Sequence, residues 1–122
     1  MQATDAKSVT LAIPPKAEYF LLARLALSAV CRLAPLAAED AADLKLAVTE
    51  AATLRAREDG NLSFAYMLDG ERIEVEIAGG EQSHAPGAEE ELSRSIVEAT
   101  VDDCDFADEA TRLVKYIEPT TE

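Results

Sequence analysis

The sequence predicts an α+β protein, a two-layer sandwich in which about three helices cover one face of a mixed, mostly antiparallel β-sheet. Its 122 residues suffice for one domain, which buries roughly two-thirds of the surface of its unfolded chain. Segments in which apolar and polar residues alternate are interspersed with segments of helical periodicity. Two of the alternating segments are separated only by a turn sequence, which indicates that neighbouring strands pair as a hairpin.

The first strand and the first helix are predicted from hydrophobic periodicity. Apolar residues alternate with small or polar ones over residues 8–13, and Pro14-Pro15 ends the strand. A helix is predicted from about Ala17 to Ala34, because apolar residues recur there at helical spacing and Pro35 cannot continue it. The predicted buried side of this helix comprises Phe20, Ala23, Leu27, Val30 and Cys31.

A second helix is predicted from near Ala38 to about Glu58. Acidic residues 39 and 40 suit the positive end of its dipole, and the sequence Asp59-Gly60-Asn61 breaks it. One face is apolar and consists of Leu44, Ala47, Val48, Ala51 and Ala52.

The middle of the chain predicts a β-hairpin. Apolar residues alternate over 62–68 and again over 73–77, with Asp69-Gly70 between the two segments. Asp-Gly favours a two-residue turn in which both residues have positive φ. That turn places Leu68 opposite Glu71 and Tyr66 opposite Ile73, so that the apolar faces of the strands coincide.

The remaining elements complete the predicted sheet. A loop rich in glycine and polar residues is expected over 79–87, followed by a helix from about Ala88 to Val101. A short extended piece near Asp105-Phe106 and a strand around Thr111–Ile117 follow. The expected buried stripe of the last helix is Leu92, Ile96 and Ala99. The predicted domain therefore spans residues 8–117, with tails over residues 1–7 and 118–122.

Composition narrows the classes of function. Hydrophobic residues make up 48% of the chain and aromatic residues only 5%, so the core is expected to consist of Ala, Leu, Val and Ile. The net charge of −13 disfavours binding to nucleic acid or to an anionic membrane. No signal peptide and no run of about 20 apolar residues is present, so we expect a cytoplasmic protein. Cys31 and Cys104 are then expected to be reduced thiols.

Several segments resemble the anti-sigma-factor serine kinases of the histidine-kinase-like ATPase group, which has the Bergerat-type fold. The similarity is carried mainly by Asp43–Leu54, which matches the family helix that bears a nucleotide-site Glu and, four residues later, an Asn. It is supported by Leu11-Ala12-Ile13-Pro14, by residues 96–103 and by residues 111–115, and in order and spacing it covers about residues 8–117. The resemblance implies the predicted α+β fold and an ATP-dependent serine kinase ancestry.

The resemblance assigns the family's site residues to positions of this chain. Glu50 stands at the position of the general base, and Leu54 stands where the family has its metal-site Asn. Ala78 stands at the position of the Asp that recognises adenine, and Gly80 at the first of two glycines. Gln82 replaces the second glycine. Shifting the glycine loop by one residue places Gly79 at the Asp position and restores no carboxylate.

These replacements predict a degenerate nucleotide site with no cofactor and no metal. Mg²⁺ requires oxygen ligands, which Leu54 lacks, and the methyl group of Ala78 accepts no hydrogen bond. The carboxylates of Glu89, Glu90 and Glu91 lie where the family has its phosphate-binding glycines, and they would repel a triphosphate. Glu50 is therefore expected to be idle, as a solvated carboxylate or paired with Lys45 or Arg55.

The first helix carries more apolar residues than one buried face requires, namely Tyr19, Leu21, Leu22 and Leu25. They are either buried or exposed as a patch for a partner. In the resembled family this region contributes to a homodimer surface and lies near the docking place of a sigma factor, and Arg24 matches a family Arg. The resemblance therefore implies a partner surface that includes Tyr19, Leu22, Arg24 and Leu25.

Two functions remain open. The first is a non-catalytic regulatory module that sequesters a sigma factor, an anti-sigma antagonist of the STAS type or a second copy of itself. The second is a functional serine/threonine kinase that uses ATP and Mg²⁺ to phosphorylate an anti-sigma antagonist.

Overall fold

A computed structural model describes residues 7–57, 60–83 and 87–117 of the chain. The five strands are β1 (Lys7–Ile13), β2 (Leu62–Leu68), β3 (Arg72–Ala78), β4 (Asp103–Phe106) and β5 (Ala110–Tyr116). The three α-helices are α1 (Phe20–Leu33), α2 (Ala38–Arg55) and α3 (Ala88–Thr100), and a 3-10 turn over Ala17–Tyr19 precedes α1. The predicted tails fall mostly on residues 1–6 and 118–122, outside the described residues.

The five strands form one open sheet in the order β1-β2-β3-β5-β4, with helices packed on one face. The α+β prediction is confirmed. The sheet is not mixed, however, because each of its described pairings is antiparallel. The reason lies in the connections: α1 and α2 together return the chain to the end of the sheet where β1 finished, and short turns join β2 to β3 and β4 to β5.

The core lies between the sheet and the helices α1 and α2. The predicted buried side of α1 and the predicted apolar face of α2 are both confirmed. The inward side chains of β2 and β3 are fully buried against them, and the hydroxyl of Tyr66 donates a hydrogen bond of 2.8 Å to the main-chain oxygen of Ala23 in α1. This bond joins α1 to the second strand of the sheet.

The register of the β2–β3 hairpin differs from the prediction by two residues. Leu68 pairs with Ile73, and Tyr66 pairs with Val75. Gly70 does not have positive φ, and the carboxylate of Asp69 instead accepts hydrogen bonds from the main-chain N–H groups of Glu71 (2.7 Å) and Arg72 (3.0 Å). This side-chain turn shifts the pairing by an even number of residues, so the predicted apolar faces still coincide.

Two predictions about helices were wrong in detail. Helix α2 ends at Arg55 and not at Glu58, because its last carbonyl oxygens accept hydrogen bonds from the loop after β3. The stripe expected to be buried in α3 is not buried: Leu92 and Ala99 are exposed and Ile96 is half-buried. The fully buried side chain of α3 is Val97, because α3 packs mainly on α2 and less extensively on the sheet.

None of α1, α2 and α3, the α-helices of the described part of the chain, combines the length and apolar character that a membrane span requires.

Candidate functional site

The residues assigned to a nucleotide site surround the C-terminal half of α2. The end of β3, the loop over residues 79–83 and the start of α3 all lie beside it. The space between these elements is a cavity of about 140 Å³. It is lined by Thr53, Leu54, Arg57, Ser83, Glu89, Glu90 and Ser93. Pockets that bind small molecules measure about 300 Å³ or more, so this cavity, as the described residues form it, is smaller than such a pocket.

Glu50 lies on α2, half-buried at the contact with α3. Its carboxylate accepts a hydrogen bond of 2.8 Å from the hydroxyl of Ser93. The expected pairing with Lys45 or Arg55 was wrong, because Lys45 donates to the hydroxyl of Ser28 and Arg55 points to the other side of α2. The carboxylate at the general-base position therefore already has a hydrogen-bond donor, a serine of the chain itself.

Leu54, at the position of the metal-site Asn, is buried in the structure and only 3% exposed. Its main-chain oxygen accepts a hydrogen bond from the N–H group of Ser83 (3.1 Å). The loop after β3 thus lies directly against this turn of α2. An aliphatic side chain buried in this way provides no ligand for Mg²⁺.

Ala78, at the adenine-recognising position, is the last residue of β3 and pairs with Ser63 and Ala110. Side chains alternate along a strand, and Ile77 is fully buried on the helical face. The methyl group of Ala78 therefore lies on the opposite face of the sheet, away from α2. The Asp position and the Glu50 position do not share one face in this chain.

Gly80 and its neighbour Gly79 both have positive φ, of 59° and 92°. A Cβ atom on Gly80 would lie 1.8 Å from the main-chain oxygen of Arg55, and one on Gly79 would lie 2.4 Å from that of Asn61. The N–H group of Glu81 donates to the same Arg55 oxygen at 3.0 Å. These glycines let the loop approach the protein's own main chain.

Arg55 is the largest fully buried side chain of the described residues and is 1% exposed. Its guanidinium group has five hydrogen-bond acceptors among the described residues, and three of them share the two N–H groups of Nη1. The acceptors are the main-chain oxygens of Gly79 (2.9 Å), Ala107 (2.9 Å) and Asp108 (2.7 Å), the hydroxyl of Thr111 (3.2 Å) and the amide oxygen of Gln82 (3.4 Å). The group thus joins α2, the loop after β3 and the turn before β5.

Burial lowers the pKa of Arg55, the nearby charge of Arg57 lowers it further, and Asp108 opposes both effects. The resemblance assigns no role to Arg55, which was expected only as a partner of Glu50. One signal could have identified it as buried: Arg55 continues the apolar face of α2, four residues after Ala51 and three after Ala52.

The remaining cavity is polar and bears opposite charges. The carboxylates of Glu89 and Glu90, at the start of α3, line it together with Arg57. Arg57 in turn lies 4.0 Å from the carboxylate of Glu81. Within the described ranges, no three His, Cys, Asp or Glu side chains lie close enough together to hold a metal ion. The residues present do not fit Mg²⁺ and ATP, and we derive no chemical step through them.

The additional apolar residues of α1 form an exposed surface, which we call the α1 surface: Leu21, Leu22, Leu25 and Leu33. Leu22 is 47% exposed and Leu25 is 55% exposed, so the interpretation of full burial was wrong for both. Tyr19 and Arg24, the other predicted partner residues, are half-buried at its border. Residues 1–37 carry four basic and two acidic side chains, in a chain of net charge −13. The α1 surface is therefore apolar, and it belongs to a segment of the sequence with an excess of basic residues.

Neither cysteine is among the residues of this site. His84, the one histidine of the sequence, lies outside the described residues. Cys31 is buried in α1 and Cys104 is half-buried in β4, and both are free thiols.

Comparison with known proteins found no matching family model. The chain is 35% identical over 82 residues to the serine-protein kinase RsbW of Listeria monocytogenes serovar 1/2a. It is 35% identical over 82 residues to the protein of that name from Listeria innocua serovar 6a, and 34% to that from Listeria monocytogenes serotype 4a. Each match covers 62% of this chain and 52% of the relative, so the chain spans about half the length of the curated relatives it matches.

Proposed function

We propose that this chain, a relative of the RsbW serine-protein kinases and of the anti-sigma kinase family that its sequence resembles, is a non-catalytic regulatory protein. It would act in the cytoplasm by sequestering a partner protein and not by transferring phosphate. The partner would be a sigma factor or an anti-sigma antagonist of the STAS type, with a second copy of the chain as a further candidate.

The observation that carries this proposal is that the chain's own groups satisfy the residues that the resemblance assigns to a nucleotide site. Ser93 donates to Glu50, the loop main chain donates to the oxygens of Leu54 and Arg55, and the cavity that remains measures about 140 Å³. Phosphoryl transfer depends on a positioned donor and on metal ions that neutralise the developing charge. A carboxylate at the position of Glu50 supplies neither.

The α1 surface supports a binding role. Leucine side chains about half exposed, and adjacent along one helix, are typical of a surface that is covered when a partner binds. Strand β1 lies at the edge of the sheet beside α1, and its Val9 is also exposed. A homodimer or a complex with a regulatory protein would cover both elements.

The kinase remains the alternative function, and the names of the relatives and the retained Glu50 favour it. The relatives are named serine-protein kinases, and this chain keeps a carboxylate, Glu50, at the position of the general base.

A binding experiment separates the two functions. Purified sigma factors and STAS-type antagonists of the native host would be titrated against the chain by calorimetry. We expect one of them to bind without nucleotide, and we expect the double variant Leu22→Glu/Leu25→Glu to weaken binding about 100-fold or more, because charge at two central positions removes their apolar contacts. Leu92→Glu is the matched control, since Leu92 is 61% exposed on α3, and its affinity should be unchanged.

The opposite result would favour the kinase. If the chain transferred phosphate from Mg·ATP to a serine of an antagonist, and Glu50→Ala abolished the transfer, the non-catalytic proposal would be wrong. If the Leu92→Glu control weakened binding as much as the α1 variant, the partner surface would have been placed on the wrong helix.

A further inference from the structure

The side chain of Arg55 connects three segments that are far apart in sequence. Its guanidinium donates to Gly79 at a separation of 24 residues and to Ala107 and Asp108 at separations of 52 and 53 residues. Because Arg55 is the last residue of α2, the same residue ties the helix end, the loop over 79–83 and the turn before β5 together.

The acceptors form a cage that suits a guanidinium group. Each described hydrogen-bond acceptor is a neutral oxygen, from a main-chain carbonyl, an amide or a hydroxyl. The hydroxyl of Thr111 also donates to the amide oxygen of Gln82 at 2.9 Å, which orients that oxygen toward Arg55. A planar guanidinium has five N–H donors in a fixed arrangement, whereas an ammonium has three around one point, so Lys cannot occupy all of these acceptors.

The cage includes part of the loop that, by the resemblance, approaches the nucleotide. Gly79 and Gln82, both from this loop, are themselves ligands of the guanidinium. The main chain of Arg55 holds the same loop through the N–H group of Glu81, and the oxygen of Leu54 holds it through Ser83. The side chain of Arg55 and the main chain at the end of α2 thus both form hydrogen bonds to this loop.

We propose that Arg55 is an internal latch: its guanidinium fills this cage of acceptors as an internal ligand and keeps the loop over residues 79–83 closed on α2. The inference rests on the proposed function in taking this region as a nucleotide site that no longer works. It adds that one side chain keeps the region closed. Removing that side chain leaves a cage of acceptors that a free guanidinium compound can refill.

The experiment measures hydrogen exchange at the amides of Glu81 and Ser83 in the wild type, in Arg55→Ala and in Arg55→Lys. We expect exchange at both amides to accelerate about tenfold or more in either variant relative to the amides of the β2–β3 pairing. Methylguanidinium, at concentrations far below those that unfold proteins, should restore slow exchange in Arg55→Ala. Methylammonium, of equal charge, should not restore it.

A control separates a latch from a general loss of stability. Tyr66→Phe removes a buried hydrogen bond between β2 and α1, far from the cage, and should accelerate exchange without singling out Glu81 and Ser83. If Arg55→Ala does not fold, Thr111→Val and Gln82→Ala test the same cage more mildly, and both should accelerate exchange at Glu81.

Several results would overturn the latch: protected loop amides in a folded Arg55→Ala protein, equal rescue by both cations, or no response of Glu81 to loss of Thr111 or Gln82. Binding of Mg·ATP to the wild type would overturn the proposed function instead. Failure of one proposal is therefore distinguishable from failure of the other.

Discussion

Three glycines of this chain provide a graded test of why the loop after β3 contains glycine. A nucleotide-binding glycine and a glycine that packs against the protein itself differ in one respect: only the second is required for stability. Replacement by alanine at Gly70, Gly60 and Gly80 should therefore give three different changes in the free energy of unfolding.

The expected magnitudes follow from the geometry. Gly70 lacks positive φ and an added Cβ would meet no atom within 4 Å, so Gly70→Ala should change stability by less than about 1 kcal/mol and can stabilise. Gly60 has a φ of +83° with no atom within 4 Å, so Gly60→Ala should cost about 1–2 kcal/mol, the strain of a left-handed alanine.

Gly80→Ala combines two effects. The φ of +59° imposes the same strain, and the Cβ would lie 1.8 Å from the main-chain oxygen of Arg55, which forces the loop away from α2. The hydrogen bond from the N–H group of Glu81 to that oxygen is then lost, at about 0.5–1.5 kcal/mol. We expect a total cost of about 1.5–3.5 kcal/mol.

Urea unfolding followed by far-ultraviolet circular dichroism measures all three values, and an unchanged slope with denaturant would confirm that the native states are comparable. The reasoning would be refuted if Gly80→Ala were as stable as the wild type. It would also be refuted if Gly70→Ala and Gly80→Ala were equally destabilised.

Two further predictions concern the core and the dependence on pH. Tyr66→Phe should lower the free energy of unfolding by about 1 kcal/mol, because it removes the hydrogen bond to Ala23 while the carbonyl keeps its place in α1, and a loss above 3 kcal/mol in urea unfolding would show that packing changed as well. Burial raises the pKa of the Cys31 and Cys104 thiols above their ordinary value of 9.0, and nearby carboxylates add to the effect at Cys104. As pH rises, the thiols of the unfolded chain lose their protons before those of the folded chain, so the free energy of unfolding should be unaffected by the thiols below pH 9 and should fall above it. The fall should be less steep in the double variant Cys31→Ala/Cys104→Ala, and an equal fall in that variant would assign the effect to other groups.

The fold could be predicted well where one local pattern determines the structure. The buried residues of α1 and of the first part of α2 recur at helical spacing, and no other element competes for them. The prediction of the hairpin register was wrong because the carboxylate of Asp69 forms a turn that the Asp-Gly dipeptide alone does not indicate. The prediction of the buried residues of α3 was wrong because packing against α2, and not the hydrophobic periodicity of the helix, determines which face is buried.

Less of the candidate site than of the fold could be predicted from the sequence. A resemblance can place Glu50, Leu54 and Ala78 at family positions, but it does not state on which face of the sheet a residue lies or which group of the chain fills the space. Arg55 is the clearest case: a charged residue at a helix end is usually exposed, and its burial depends on acceptors contributed by residues 24 to 56 positions later.

Isothermal titration calorimetry of the wild-type chain with Mg·ATP tests the central claim most directly. With Glu50 and Ser93 joined, Leu54 buried and the remaining cavity at about 140 Å³, we predict no heat of binding at micromolar to millimolar nucleotide. A saturable binding curve with micromolar affinity, weakened by Glu50→Ala, would contradict the account.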